Sequence, residues 1–320
     1  MTRTRVGVLR GGPSSEYDIS LKTGGAVLKN LPEHYKGVDV LIDKDGVWHA
    51  NGLPFSPEQI SRKVDVVFNA LHGYYGEDGK VQKILERFDV PYTGAEAMAS
   101  AIGMNKLFTK EHFQKSGLVM PSHKIIKETD NIEREILSVF RELPQPSVVK
   151  PLSGGSSVGV FVAHSFDELL KAVLSALQYD SAVIVEEYIK GREATCGVID
   201  DFRGEKHYAL PPVEIVPPSN YTFFDYNAKY CGETREICPS NFSDEEKKEI
   251  TRASITAHKA IDARHYSRSD FIVSPRGIFI LEINTLPGLT EESLLPKACN
   301  AVGCPFPDFL DHLLKLALHN

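Results

Sequence analysis

No run of this 320-residue chain approaches the roughly 18 consecutive apolar residues of a membrane span, which excludes a helical membrane protein. A basic excess is missing too. Lys and Arg number 36 against 43 Asp and Glu, a net charge of −7, so there is no electrostatic footprint for DNA or RNA. Cysteine is scarce and odd in number: Cys196, Cys231, Cys238, Cys299 and Cys304, with no CxxC. That pattern argues against a disulfide framework or a metal ribbon and reads as buried or idle thiols in a reducing cytosol. The opening "MTRTRVGVLRGG" has basic residues, but its apolar run of about four positions is short of the roughly 7–15 of a signal peptide, so it predicts a first strand in a cytoplasmic protein. Neither GxxxxGK[ST] nor GxGxxG occurs, which removes the P-loop and the dinucleotide fingerprint.

What is present is an ordinary globular composition, 42% hydrophobic and 25% charged, in a chain long enough for two or three domains. Over the first ~95 residues, short apolar runs ("RVGVL", "GVDVLI", "VDVVFNAL") alternate with helical stretches ("ISLKTGGAVLKNL", "VQKILERF"), the rhythm of a parallel sheet with crossover helices. Ser56 and Pro57 mark one helix start. A single long helix is expected over 94–117, ended by Gly117. Strands follow in "VMPSHKII" and "PSVVKPLSGGSSVGVFVA", and Ser165 with Glu168 reads as a capping box. "AVIVEEYIKGREATCGVI" predicts two strands around a turn at Gly191, the second opening a third unit. Residues 211–239 are polar, aromatic and aperiodic, which suggests a functional lid. Ser243 and Glu246 cap a further helix.

Two stretches carry chemistry. In "KPLSGGSSVGV" (150–160), glycine and serine offer free backbone N–H groups to phosphate, but the lysine precedes them. In "SRSDFIVSPRGIFILEINTLPG" (267–288), "SPRGI" predicts a hairpin with a three-residue bulged loop and Gly277 in its left-handed position. Pairing Ser274 with Ile278 sets Asp270 opposite Glu282 and Arg268 opposite Asn284. One face then carries Arg268, Asp270, Ile272, Ile280, Glu282 and Asn284, and a core face carries Phe271, Val273, Phe279, Leu281 and Ile283. Two carboxylates and an amide oxygen suit Mg²⁺, with the arginine placed to neutralise a phosphoryl group. The plainer alternative is a solvated face with a cross-strand ion pair, and a register slip of one residue would undo either reading.

The order of these elements (lysine before a Gly/Ser loop, then "EEYIKGRE", then "RSDF" and "LEINTLPGLTEES") resembles the ATP-grasp superfamily. Within it the chain resembles the bacterial D-alanine–D-alanine ligases over nearly its whole length, from "GGPSSEYDIS" to "SLLPKA". The resemblance implies an α/β (α+β overall) fold. A Rossmann-like N-terminal domain (1–95) would precede two ATP-grasp subdomains (96–185 and 186–320) that hold ATP between two sheets. It implies that Lys106 and Lys150 contact ATP phosphates, with Lys229 near the γ-phosphate. Glu186, Glu187 and Ile189 would line the adenine edge, through strand-end carboxylate and backbone contacts, and Glu193 the ribose. Asp270, Glu282 and Asn284 would bind two Mg²⁺ ions, with Mn²⁺ as a substitute. Glu16 would take the ammonium of the first D-alanine, near His72, and Ser156 and Tyr230 would join Glu16 in latching the lid. Arg268 and the Gly288 N–H would hold the oxyanion, and Ser293 and the Leu294 N–H the carboxylate of the second D-alanine. A homodimer is implied, with no membrane or nucleic-acid partner.

Some positions depart from the family pattern. Ser153 and Gly154 stand where arginine and glutamate are frequent, "YYGEDG" replaces a more glycine-rich run, Ser269 replaces a branched residue, and His265 a glycine. None removes an implied ligand. Three rival functions share some of these features. A depsipeptide ligase using D-lactate would share every ATP residue, and Tyr230 argues against it. A dehydrogenase does not explain 267–288, and a non-catalytic binding module has no need of the Asp–Glu–Asn set.

Overall fold

The structure is a computed structural model that describes residues 3–129, 131–155, 159–217, 234–290 and 292–319. Its strands form three sheets. The first has the order β4-β3-β2-β1-β5. Thr4–Gly11 (β1) runs parallel to Tyr35–Ile42 (β2) and to Val66–Asn69 (β5), with Tyr17–Asn30 (α1) crossing between β1 and β2. The parallel rhythm read from sequence is present. The edge differs, because Trp48–Ala50 (β3) and Leu53–Phe55 (β4) add an antiparallel hairpin beside β2. Three-residue strands are too short to show an alternation that could be seen in the sequence. Pro57–Ser61 (α2) starts with the expected Ser56 cap, here a full capping box with Gln59, and Lys80–Arg87 (α3) follows β5.

The expected long helix is two helices. Ala97–Met104 (α4) stops at Asn105, which is extended (φ −99°, ψ 110°), and Lys106–Lys115 (α5) begins beside it. Two interactions repay the break. Asn105 bridges to Ser153, and its side chain accepts from the N–H groups of Leu107 and Phe108. The Lys106 N–H meanwhile donates to Leu152 O at 2.9 Å. The chain is bent so that α5 starts against the Gly/Ser loop, and apolar spacing carries no trace of that tertiary contact.

The second sheet, order β6-β9-β7-β8, is antiparallel throughout: His123–Lys127 (β6), Ser147–Pro151 (β7), Phe161–Ala163 (β8) and Ala182–Glu187 (β9). Ile132–Glu142 (α6) and Phe166–Ala176 (α7) cover it through Ile136, Val139, Leu169 and Val173. Ser165 caps α7 as expected, but the Glu168 carboxylate reaches the N–H of His164 and not that of Ser165, so the box is not reciprocal. At the predicted turn, a side chain on Gly191 would strike the Val273 carbonyl, and the chain then enters Arg192–Phe202 (β10) in the third sheet.

That sheet contains β10, Glu205–Ala209 (β11), Val213–Val216 (β12), Arg235–Ile237 (β13), Tyr266–Ser274 (β14) and Gly277–Asn284 (β15). β12 pairs with β13, so both ends of the expected 211–239 lid are strands; residues 218–233, with Lys229 and Tyr230, lie outside the described residues. Asp244–Ala260 (α8) has the expected Ser243–Glu246 capping box. Leu294–Ala301 (α9) and Phe306–His319 (α10) end the chain, and Phe309, Leu310, Leu313 and Leu314 of α10 share one core with Val6, Val8, Val66 and Phe68 of the first sheet. Cys196, Cys299 and Cys304 are buried and Cys238 partly so, and all four are free thiols; Cys231 lies outside the described residues. Among the described residues no helix is long and apolar enough to cross a membrane.

Asn105→Ala removes the cap at the α4–α5 break. We expect a loss of about 1 kcal/mol, read as a lower urea midpoint, whereas an unchanged midpoint would mean that backbone pairing alone maintains the break.

Candidate functional site

The β14–β15 hairpin sets the polar face. Arg268 lies opposite Asn284 and Asp270 opposite Glu282, as the sequence predicts. The route to that register is different. Ser274 pairs with Gly277 across a two-residue loop, not with Ile278, and the extra residue sits inside the ladder as a bulge between Asp270 and Phe271. Gly277 has the expected positive φ of 121°. Near the turn the two faces are therefore exchanged on β15. Ile280 joins Phe271, Val273 and Ile278 in the core, while Phe279 and Leu281 pack with Ile272 and Ile189 on the polar side. "SPRGI" shows that one residue is extra, but not where it is absorbed.

On that face Asp270 is tightly held. Its Oδ1 accepts from Arg268 Nε at 2.9 Å and from the Thr195 hydroxyl at 2.6 Å. Its Oδ2 accepts from Arg268 Nη2 at 2.9 Å and from Asn284 Nδ2 at 3.2 Å. Arg268 stays firmly cationic, since the Asp270 carboxylate outweighs burial. The Asn284 amide gives its N–H to Asp270, which leaves its oxygen for another partner. An all-oxygen set of two carboxylates and one amide fits a hard divalent cation.

Across the cleft is a cationic cluster. Glu186, 2% exposed at the end of β9, has Lys110 Nζ 2.7 Å from one oxygen and Lys150 Nζ 2.7 Å from the other. Burial alone would raise its pKa, but the two lysines hold it down at about 2. Lys150 is raised, since Glu186 and Glu282 outweigh burial. Lys106 is lowered, chiefly by burial and further by Lys150 and Lys110, against the pull of Glu282. Its Nζ donates to Gly154 O at 2.8 Å. Lys110 was not singled out from the sequence. Its signal is the i, i+4 spacing after Lys106, which puts both ammonium groups on one side of α5.

Lys106, Gly154, Gly155, Glu77, Glu282 and Asn284 line one cleft. Glu16 comes to the same loop, since a methyl group on Gly155 would lie 3.5 Å from its Oε1. It stands at the N-terminus of α1 with its N–H on Ser14 Oγ. His72 is buried, with Nε2 2.9 Å from Thr23 Oγ1 and Nδ1 3.3 Å from Glu77. Its pKa is raised, because Glu77 and Glu16 overcome burial. Glu77 is a second residue that the sequence reading missed; a glutamate five positions from His72 in a glycine-rich loop carries no periodic signal. Ser293 stands at the N-cap position of α9 without a side-chain cap hydrogen bond, so the Leu294 N–H is at the helix N-terminus as expected, and Ser293 Oγ accepts from Thr290 N at 3.0 Å, close to Gly288.

The Glu187 side chain leaves the cleft, since Arg276 Nη1 binds it at 2.8 Å and the Ser122 N–H donates to it at 3.0 Å. Glu193 lies opposite Ile272 on β14, on the polar side of that strand, and its charge helps to raise Lys150. Ser156, Lys229 and Tyr230 lie outside the described residues. His265 adopts a left-handed conformation (φ 67°); its Nδ1 accepts the Gly94 N–H, and burial, followed by the nearby Arg264, pushes its pKa down to about 3.

A cleft with Lys106 and the Gly154–Gly155 loop on one side and the Glu282 and Asn284 oxygens of the third sheet on the other, beside a second antiparallel sheet that carries Lys150 and Glu186, is the arrangement of the ATP-grasp class. The chain belongs to the D-alanine–D-alanine ligase family: residues 5–63 and 50–95 match the model for "D-ala D-ala ligase N-terminus" and 112–315 that for "D-ala D-ala ligase C-terminus". It is 37% identical to a D-alanine–D-alanine ligase of Pelotomaculum thermopropionicum (99% of this chain, 97% of the relative) and 39% identical to one of Geobacter sulfurreducens (97% and 93%). Among solved structures it is similar to a D-alanine–D-alanine ligase from Bacillus anthracis complexed with ATP (TM-score 0.82, 31% identity, 99% and 98% covered). It is likewise similar to the VanG D-Ala:D-Ser ligase from Enterococcus faecalis (0.87, 30%, 99% and 100%).

The Glu186 shift gives a pH prediction. A carboxylate lowered from 4.5 to about 2 contributes stability that is present above its unfolded pKa and lost as pH falls through 4.5 toward 2. Lys110→Met should cost roughly 3 kcal/mol near neutral pH, because one partner of a buried charge is gone while Lys150 remains. It should also flatten the pH dependence in that window. Urea unfolding of both proteins at pH 7, 4 and 3 checks this, and equal stability at pH 7 would contradict it.

Proposed function

We propose that the protein joins two D-alanine molecules into D-alanyl-D-alanine with ATP, for peptidoglycan precursor synthesis in the cytoplasm. The observation that carries this reading is one cleft lined by Lys106, Glu282 and Asn284, with Lys150 close enough to feel the Glu282 charge, Asp270 opposite Glu282 on the ladder, and Glu16 at the Gly/Ser loop. The cationic wall matches a triphosphate. The apolar patch of Ile189, Ile272, Phe279 and Leu281 beside it offers a surface for the adenine ring, with backbone groups of 186–189 at its edge and Glu193 toward the ribose. Asp270, Glu282 and Asn284 would hold two Mg²⁺ ions, or Mn²⁺ in their place. The ions would neutralise charge on the transferring phosphoryl group.

Glu16, with His72 and Glu77 behind it, binds the ammonium of the first D-alanine and aims its carboxylate at the γ-phosphate. A carboxylate oxygen bonds to that phosphorus, the bond to the bridging oxygen breaks, and ADP leaves, giving an acyl phosphate. Positioning and charge stabilisation supply most of the acceleration, as in other phosphoryl transfers. Ser293 and the Leu294 N–H hold the second D-alanine by its carboxylate. Its neutral amine adds to the acyl carbon, and Arg268 with the Gly288 N–H stabilises the oxyanion. Collapse then expels phosphate. Lys229, Tyr230 and Ser156 complete the site as lid residues that keep water from the acyl phosphate. On this reading the chain divides near 95 and 185, acts as a homodimer, and has no membrane or nucleic-acid partner.

Phosphate release from ATP and Mg²⁺ should require D-alanine and match formation of the D,D-dipeptide by mass. Equal turnover with L-alanine, or ATP consumption without dipeptide, would refute the assignment. Glu282→Gln should lower kcat about 100-fold or more while leaving the unfolding midpoint near that of the parent, since several kcal/mol of charge stabilisation depend on its carboxylate. Near-normal turnover at saturating Mg²⁺ would remove Glu282 from the ligand set.

A further inference from the structure

Five residues along β10 from Thr195, about 16 Å by strand rise, a second polar cluster lies away from the cleft. Four of the chain's 11 histidines touch Asp200 there. Asp200 and His207 are directly opposed across the β10–β11 hairpin, and His258 reaches them from the last turn of α8. Asp200 Oδ1 is 2.8 Å from His207 Nδ1 and 3.0 Å from His258 Nε2, and these three atoms all lie within 4.8 Å of one another.

The surroundings orient the cluster. Asp200 Oδ2 accepts the His265 N–H at 2.6 Å, the Asp200 N–H donates to His265 O at 2.9 Å, and His312 Nε2 donates to Asp200 O at 2.7 Å. Only Oδ1 is left to face the two imidazoles. His258 is fully buried, and its Nδ1 is 2.7 Å from the buried Ser267 Oγ. If that contact is an Nδ1–H donation, Nε2 presents a lone pair toward Asp200, the arrangement in which a second hydrogen bond sets the tautomer of a metal-ligating histidine. Nε2 lies 3.0 Å from Oδ1 but makes no aligned hydrogen bond to it, so among the described residues its contact with Asp200 is one of charge and distance.

We propose that Asp200, His207 and His258 form a metal site for one transition-metal ion of the Zn²⁺ type. Two imidazoles and one carboxylate suit Zn²⁺, and bonds of about 2.0–2.1 Å in a tetrahedron place ligand atoms roughly 3.3 Å apart, so the two contacts to Asp200 need open by only a few tenths of an ångström, with the two imidazole nitrogens within 4.8 Å of each other. His207, with its side chain 20% exposed, gives the ion its way in and leaves the fourth position to water. None of the three residues lines the cleft, so the ion ties the β10–β11 hairpin to α8 and takes no part in ligation.

The test uses the full chain, stripped with chelator, desalted and titrated with ZnCl₂ by calorimetry in excess Mg²⁺, which occupies the oxygen-ligand sites. One Zn²⁺ equivalent should bind and raise Tm. His207→Ala and His207→Gln should each weaken that event by roughly 100-fold, since losing a ligand costs at least as much as losing its outer-shell support. Glu282→Gln should retain it, and Co²⁺ should give tetrahedral visible bands in the parent that both His207 variants lose. No binding, or binding of equal affinity in the parent and either folded His207 variant, overturns the proposal.

Discussion

The buried Glu186 carboxylate between Lys110 and Lys150 is the interaction on which the catalytic half of the molecule depends. A carboxylate this far from water is tolerated only with close cationic partners, and here they come from two elements, α5 and β7. Satisfying it clamps α5 against the second sheet. With α5 in place, Lys106 falls beside the Gly/Ser loop, and its backbone N–H closes onto Leu152. The cluster keeps more positive than negative charge on its own wall. Burial, with Lys150 and Lys110 behind it and against the pull of Glu282, lowers the pKa of the Lys106 ammonium. An anion between these ammonium groups would offset their mutual repulsion.

The opposite wall depends on one extra residue in β15. Without the bulge at Leu281, a two-residue loop would carry Glu282 and Asn284 to the core face and set Ile283 among the polar groups. The two-residue loop already turns Phe279 and Leu281 toward Ile189, and the bulge then restores the polar register for Glu282 and Asn284. Loop and bulge together thereby serve both the charged and the apolar parts of the cleft.

The polar register at Arg268, Asp270, Glu282 and Asn284 was legible in the sequence because alternation along two strands is local. So were the caps at Ser56 and Ser243, which need only a serine and a side chain three positions on. What escaped depends on distant contacts. The break at Asn105 exists because Ser153 is there to pair with it. The hairpin of β3 and β4 is too short to show a period, and nothing local to "SPRGI" says that the extra residue is absorbed in the ladder at Leu281 and not in the turn. Lys110 and Glu77 were missed for the same reason, since each acquires its role from a partner on another element or loop turn. Glu187 was read as one of a pair with Glu186. Successive strand residues point to opposite faces, and Arg276 waits on the other one.

The central claim is that the cleft directs a carboxylate at the γ-phosphate before any amine reacts. D-alanine labelled with ¹⁸O in both carboxylate oxygens tests it most directly, with mass analysis of phosphate and dipeptide after a single turnover. Passage through an acyl phosphate places one ¹⁸O in each phosphate released and leaves one in the new peptide carbonyl. Unlabelled phosphate alongside labelled dipeptide would mean that the carboxylate never bonded to phosphorus, and would contradict the account.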